Sequence, residues 1–146
     1  MLLIKMHTVG GFLYKRKLKV LSRVILLLQR FLFNSIVPHS ASIGKNTKFA
    51  YGGIAVVIHS RAVIGKHVVI GQCVTIGGRN KIYNVPIIED NVFIGAGARI
   101  LGDVVIGSGS IIAPNSVVTK SVPRNTIVAG IPARITKSNI DINEYI

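Results

Sequence analysis

The sequence of 146 residues has no tryptophan, one cysteine and only five acidic residues. A single cysteine excludes a disulfide within the chain. Aromatic residues make up 6% of the sequence although hydrophobic residues reach 49%, so small aliphatic side chains have to form the core. Fifteen glycines argue against a helical bundle, because glycine destabilises helix interiors. We therefore predict one all-β domain with tight turns, since a chain of this length typically forms a single domain.

Acidic residues are outnumbered by 18 lysines and arginines, which gives a formal net charge of +13. Such a charge attracts polyanions, and nucleic acid, anionic lipid and a phosphorylated cofactor all fit. Binders of single-stranded nucleic acid usually interleave aromatic and basic residues, a pattern this sequence does not show. We therefore expect no nucleic-acid partner. A non-catalytic scaffold or a polyanion-binding module remains an alternative.

Aliphatic residues recur at every sixth position from residue 58 to residue 118. Four places after each of them comes a small or β-branched residue, except at Asn80 and Pro86. Residues six apart do not share one face of a helix, whereas short strands joined by tight turns can repeat in this way. We predict a parallel β-helix with three strands in each coil and with the aliphatic residues stacked inside. The repeated positions are Ile58, Ile64, Ile70, Ile76, Ile82, Ile88, Ile94, Ile100, Ile106, Ile112 and Val118.

The repeat is interrupted twice. Val37, Ile43 and Phe49 continue it upstream, but nine residues separate Phe49 from Ile58, which predicts a three-residue insertion around 51–55. The small position is also lost over 79–86, which predicts a loop leaving the column. A projecting loop on a rigid scaffold is a common place for an active site.

The first 36 residues lack this repeat. Apolar residues recur about once per helical turn over 12–33 among six basic residues, which predicts a basic amphipathic helix. The helix is expected to cap the open end of the column or to contact an anionic membrane face. Its longest apolar run, 24–28, is too short to cross a bilayer, and no signal-peptide cleavage site follows. We expect a cytoplasmic protein, with contact at the inner face of the membrane left open.

The repeats resemble the hexapeptide-repeat acyltransferases over residues 37–135, leaving 136–146 as a C-terminal tail. The resemblance is carried by Gln72-Cys-Val-Thr-Ile-Gly-Gly78, Ile94-Gly-Ala-Gly-Ala-Arg-Ile-Leu-Gly102, Val117-Val-Thr-Lys120 and Ala129-Gly-Ile-Pro-Ala-Arg134. Within the family these motifs are similar to those of serine acetyltransferases and of short enzymes that acetylate surface polysaccharides. The resemblance implies a left-handed β-helix and a homotrimer that binds acetyl-CoA between columns. No metal is implied.

The same resemblance implies which residues bind acetyl-CoA. Lys120 and Arg134 would pair with the phosphates of CoA, for which charged donors are well suited. Backbone groups beside the glycine-alanine turn and in the final coil would hold the rest of the cofactor. Carried over by position, the cofactor-binding residues are Ala96, Pro114, Thr119, Lys120 and Arg134.

A histidine general base is also implied, because the acceptor hydroxyl must lose a proton as it attacks the thioester. Serine acetyltransferases carry histidines at two places that here hold Tyr51 or Gly52, and Val85. His59, directly after the first insertion, is therefore the predicted base, and His39 is the reserve candidate.

The remaining histidines and the cysteine are assigned no chemistry. His67 fits an ordinary surface turn, and His7 lies in a terminus expected to be mobile. Cys73 is expected to be a core thiol at an interior step of the column, and not a nucleophile.

We accordingly expect an acetyl-CoA-dependent O-acetyltransferase that acts on a sugar hydroxyl of a surface polysaccharide or its precursor. The missing histidines and the short N-terminal segment favour this acceptor. Serine O-acetyltransferase activity is the alternative, because the repeat motifs match those enzymes. A carbonic anhydrase of the same fold would need three histidines meeting at an interface, which the positions of His39, His59 and His67 do not suggest.

Overall fold

The computed structural model describes residues 2–145 as two helices followed by a column of short strands. Most strands are only two residues long, as a six-residue repeat requires. The helices are α1 (Leu2–Lys15) and α2 (Lys19–Phe33). The strands are β1 (Ser42–Ile43), β2 (Lys48–Phe49), β3 (Val57–Ile58), β4 (Val63–Ile64), β5 (Val69–Ile70), β6 (Thr75–Gly77), β7 (Ile87–Ile88), β8 (Phe93–Ile94), β9 (Arg99–Leu101), β10 (Val105–Ile106), β11 (Ile111–Ile112), β12 (Val117–Val118), β13 (Thr126–Gly130) and β14 (Ala133–Ser138).

The strands form three parallel sheets, which are the three sides of the column. Their orders are β1-β4-β7-β10, β3-β6-β9-β12 and β2-β5-β8-β11-β13, and β14 adds an antiparallel strand to the last sheet. Strands three apart in the chain pair up to β12, so each of these coils contributes one strand to each side, and β11 then pairs with β13. The predicted parallel β-helix is confirmed. β14 ends at Ser138, three residues beyond the predicted end of the domain.

The core is a stack of aliphatic side chains with one member per strand. Each isoleucine pairs in register with its counterpart one coil away, as Ile70 does with Ile94 and Ile94 with Ile112. These side chains are almost fully buried, and their neighbours along the strands are more exposed, except in β11, where Ile111 is buried as well. At some turns the coils approach too closely for a side chain: a Cβ on Gly107 would lie 2.6 Å from the backbone nitrogen of Arg124.

Both predicted interruptions are present. Ala50–Gly53 form a short 3-10 segment in the first coil, and residues 79–85 leave the column between β6 and β7. Ile76 pairs with Ile100, 24 residues on, whereas Ile100 pairs with Val118, 18 residues on. The loop thus adds six residues, which preserves the sequence period by coincidence. Ile82 is not a core rung, because it lies in this loop and is 39% exposed.

The N-terminal segment forms two helices, and the prediction of one helix over 12–33 was wrong. The chain turns at Arg16–Leu18, where Lys17 adopts a positive φ of 62°. α1 packs against α2 and inserts Leu3 into the core beside Phe49, so the helices cover the first coil as expected. His7 is buried in α1, which corrects the expectation of a mobile position. Over residues 2–145 we find no helix that is both long and apolar enough for a membrane span.

Candidate functional site

His59 and Lys120 lie on the same long edge of the column. We call this the histidine edge; it comprises the turns after β3, β6, β9 and β12. The amide of His59 donates to Ile76 O at 2.8 Å, and that of Gly102 donates to Gly77 O at 2.9 Å, so these turns stack directly. His59 follows β3 and Lys120 follows β12, three coils further on. With a strand spacing of about 4.8 Å, the two positions are about 14 Å apart along the edge.

The His59 ring is half-buried and faces the loop 79–85. Its Nδ1 accepts a hydrogen bond from the backbone N–H of Arg61 at 3.1 Å. A Cβ built on Gly78 would lie 3.7 Å from His59 Nε2 and 3.6 Å from Val85 Cγ1, so the Nε2 side of the ring points to the start and end of the loop. The Arg61 N–H favours the neutral tautomer protonated at Nε2, because Nδ1 is then the acceptor.

Arg61 also fastens the loop above His59. Its guanidinium carbon lies 3.9 Å from the centre of the Tyr83 ring, and its Nη2 donates to Tyr83 O. Asn84 Nδ2 donates to Asp103 Oδ2 at 3.0 Å and ties the same loop to the next coil. The sequence analysis missed Arg61 and Tyr83. The only signal for them was an aromatic residue in the predicted loop and a cation two residues after the histidine.

Lys120 and Arg134 line one groove of about 410 Å³ at the C-terminal end of the column. The antiparallel pairing of β13 with β14 brings Arg134 back to this end, opposite Ala129. Both cations are exposed, and Arg134 Nη1 donates to Ala133 O at 2.9 Å. Thr119 is also exposed, in the turn directly before Lys120. The groove therefore offers two cations beside an apolar floor that includes Val118 and Val128.

Ala96 and Pro114 lie on a different edge, which we call the alanine edge: the turns after β5, β8 and β11. The amide of Asn115 donates to Ala96 O at 2.8 Å, so the two turns stack. The Ala96 nitrogen lies close to the preceding coil, since a Cβ on Gly71 would be 2.6 Å from it. A single chain thus brings together His59, Thr119 and Lys120 on one edge but leaves Ala96 and Pro114 on another.

His39 lies on the histidine edge one coil before His59, as its place in the repeat indicated. Its ring packs against Gly10 of α1, and its Nε2 hydrogen-bonds Ser22 O of α2 at 3.0 Å. Burial lowers its pKa, as it does that of His7, whose ring centre is 5.8 Å away. Because the helices hold this ring, the structure does not support His39 as the reserve base.

The prediction that Cys73 is a core thiol was wrong. Cys73 is exposed in a turn with a positive φ of 58°, and the Arg99 guanidinium donates a hydrogen bond to its carbonyl oxygen. His67 occupies an exposed turn with a φ of 56°, as predicted. Across residues 2–145, no three side chains of histidine, cysteine, aspartate or glutamate cluster as metal ligands would.

Comparison with known proteins agrees with this geometry. Residues 86–120 match the family described as bacterial transferase hexapeptide (six repeats). The serine acetyltransferase of Staphylococcus epidermidis is 43% identical over 133 residues, which are 90% of this chain and 62% of that protein. The serine acetyltransferase of Bacillus pumilus is 38% identical over 135 residues, 91% of this chain and 62% of that protein. The chain therefore spans about six-tenths of the length of these relatives.

Two solved structures are similar over most of the chain. Serine acetyltransferase from Brucella abortus strain S19 in complex with coenzyme A superposes with a TM-score of 0.88 at 36% identity, covering 92% of this chain and 54% of that one. The soybean serine acetyltransferase complexed with serine gives a TM-score of 0.86 at 36% identity, covering 92% of this chain and 56% of that one.

Residues 86–120 thus match the hexapeptide repeats of bacterial transferases, and the coils match the left-handed β-helix of serine acetyltransferase structures. Among the proteins compared, the chain is similar to serine acetyltransferases over about nine-tenths of its own length.

Proposed function

We propose that the protein transfers an acetyl group from acetyl-CoA to the hydroxyl of a small acceptor, with L-serine as the leading acceptor. The observation that carries the proposal is the histidine edge, which has an imidazole at one end and a cationic groove at the other. The relatives and structural neighbours named above are serine acetyltransferases, and one neighbour is a complex with coenzyme A. They favour serine over the sugar acceptor that the sequence analysis placed first.

The edge suggests how acetyl-CoA would lie. Lys120 and Arg134 would pair with its phosphates, while the pantetheine arm follows the edge toward His59. The separation of about 14 Å, three strand spacings, suits an extended arm. The thioester would then lie beside the loop 79–85, where Arg61 and Tyr83 close one side.

His59 would accept the hydroxyl proton of the acceptor as its oxygen attacks the thioester carbonyl. The carbon–oxygen bond forms, the carbon–sulfur bond breaks, and the proton passes from the imidazolium to the departing CoA sulfur. For this step one ring nitrogen has to be free of hydrogen. In the tautomer protonated at Nε2, Nδ1 can accept the proton once the Arg61 N–H no longer donates to it. Nε2 can accept the proton only in the tautomer protonated at Nδ1. Binding of the acceptor between the loop and His59 would select one of these states.

The active assembly we propose is a homotrimer. Ala96 and Pro114 lie on the alanine edge, too far around the column to meet a ligand on the histidine edge of the same chain. A second column placed beside the first would bring its alanine edge against that ligand. The groove is then completed by two copies of the chain.

A sugar hydroxyl remains the second candidate acceptor for two reasons. The places where the resemblance puts histidines in serine acetyltransferases hold Tyr51 or Gly52, and Val85, so the surroundings of the acceptor differ here. Tyr83 presents a largely exposed ring beside His59, a surface on which a sugar ring can stack.

The test is the release of free CoA thiol by the purified full chain with acetyl-CoA and either L-serine or a panel of sugars. The proposed function predicts saturable release with L-serine and formation of O-acetylserine, identified by mass spectrometry. Release with a sugar alone would replace serine by the second candidate. No acceptor-dependent release, in a preparation that binds CoA, would contradict acetyl transfer to a small hydroxyl.

A further inference from the structure

Helix α2 has polar residues on its buried side and apolar residues on its exposed side. Gln29 is 0% exposed, and neither its side-chain oxygen nor its nitrogen has a hydrogen-bond partner within the described residues. Ser22 is buried on the same side. Phe31 and Leu27 are 88% and 65% exposed. A surface helix normally has the opposite orientation, so this outward apolar face requires a covering partner.

The outward face is continuous. We call it the outer face of α2; each member is three or four residues from another member, so all of them lie along one side of the helix. A shallow groove of about 780 Å³ runs between several of them. The members are Val20, Val24, Leu27, Leu28 and Phe31.

Basic residues border the outer face. By helical periodicity Lys19, Arg23 and Arg30 share one side of α2 and lie along one edge of the apolar stripe. Three further basic residues, 15–17, occupy the end of α1 and the turn before α2. No carboxylate near them in the sequence can neutralise these charges, because the first acidic residue of the sequence is Glu89. The helices thus present a purely cationic border along one edge of an apolar stripe.

A cavity of about 270 Å³ opens at the same basic edge. Tyr14, Lys19, Arg23 and His39 are among its lining residues. The lysine, the arginine and the tyrosine hydroxyl all provide donors suited to a phosphate oxygen. An anionic headgroup could therefore enter the cavity while apolar chains lie against the outer face.

We propose that the outer face of α2 docks on an anionic phospholipid surface. Its apolar side chains enter the boundary between headgroups and acyl chains, and Lys19 and Arg23 contact the phosphates. A second copy of the chain is the less suitable partner, because it would bring two cationic borders together without carboxylates. This inference does not depend on the proposed enzyme activity.

Co-sedimentation of the full chain with vesicles tests the proposal. Vesicles of phosphatidylcholine mixed with phosphatidylglycerol should bind the protein at least tenfold more tightly than vesicles of phosphatidylcholine alone, and salt should weaken this binding. Lys19→Gln and Arg23→Gln should each weaken it about fivefold, as expected for one basic residue at an anionic surface. The matched controls Lys45→Gln and Lys66→Gln, exposed on the column, should change binding less than twofold.

Phe31→Ser separates docking from folding. This exposed side chain makes little contribution to the core, so thermal unfolding should be unchanged while vesicle binding falls about tenfold or more. Equal binding to neutral and anionic vesicles, or unchanged binding of Phe31→Ser, would overturn the proposal. So would displacement by millimolar inorganic phosphate, which would indicate a site for the free ion. Self-association that Phe31→Ser abolishes, without vesicle binding, would assign the face to a second copy.

Discussion

The backbone N–H of Arg61 donates to Nδ1 of His59, while the guanidinium of Arg61 packs on the ring of Tyr83. One residue therefore restricts the tautomer of the candidate base and also fastens the loop that faces it. A stretch of three residues, 59–61, couples the state of the imidazole to the position of the loop. Because the backbone of Arg61 makes the first contact and its side chain the second, replacing the side chain tests the loop contact by itself.

Replacement of His59 tests the base. His59→Ala should lower kcat by about two to four orders of magnitude, the usual contribution of a general base, with KM for acetyl-CoA little changed. His59→Gln should be equally impaired, because an amide nitrogen can donate where Nε2–H does but cannot take up a proton. Steady-state kinetics measure both. Activity of the alanine variant within a few-fold of the wild type would exclude His59, and a glutamine variant that remains active would assign it a donor role.

Loss of the Arg61 side chain should affect the acceptor more than the cofactor. In Arg61→Gln the loop loses the contact with Tyr83, an exposed cation–π interaction of about 0.5–1 kcal/mol. KM for the acceptor should rise about two- to fivefold, while KM for acetyl-CoA stays constant because Lys120 lies three coils away. Lys66→Gln provides the matched control. Equal increases in both KM values would argue against a local role in the acceptor pocket.

The stack of aliphatic side chains is the part of the fold that the sequence predicts best. A six-residue period is a local property, and it fixes parallel strands, three-sided coils and inward positions such as Ile70 and Ile94 without knowledge of long-range contacts. The period located the first insertion, and the loss of the small position over 79–86 located the second. The period itself failed at Ile82, because the loop adds six residues to its coil, the length of one repeat, and leaves the count undisturbed.

Side-chain surroundings could not be predicted in this way. Cys73 follows the same repeat motif as buried residues, yet the turn places it outside with a positive φ. The burial of His7 and His39 depends on how α1 and α2 fold back over the first coil, a tertiary contact with no periodic signal. The contact of Arg61 with Tyr83 likewise joins residues from two coils.

The cationic groove predicts a specific effect on cofactor binding. Lys120→Gln and Arg134→Gln should each raise KM for acetyl-CoA about three- to tenfold, with a small effect on kcat, since both residues are exposed and screened. The effects should shrink at high salt. Arg124→Gln, another exposed cation near this end of the column, should leave KM unchanged. If all three variants behaved alike, general charge would explain the binding and the groove would not.

Close packing of the turns makes certain glycines irreplaceable. Gly107→Ala would place its Cβ 2.6 Å from the Arg124 nitrogen and 2.8 Å from the Pro123 carbonyl carbon, both backbone atoms. We expect a loss of about 1–3 kcal/mol in the free energy of unfolding, typical of overpacking, measured by chemical denaturation. Gly11→Ala is the control in α1, where the nearest atom would be 3.6 Å away. It should be neutral or stabilising, and equal losses in the two variants would contradict the argument.

Acid should release the helices from the column. Burial lowers the pKa of both His7 and His39 from the ordinary value of 6.5, and the nearby His39 lowers the pKa of His7 further. Above pH 6.5 both rings are neutral whether or not α1 is docked, so docking is unaffected. Below pH 6.5 the undocked rings take up protons more readily than the docked ones, so docking weakens as the pH falls.

Hydrogen exchange over residues 2–33 should therefore accelerate as the pH falls below 6.5, after correction for intrinsic rates, while the column stays protected. His7→Gln combined with His39→Gln should flatten this dependence, and His67→Gln, in an exposed turn, should not. A profile that persists in the double variant would show that other groups control the docking.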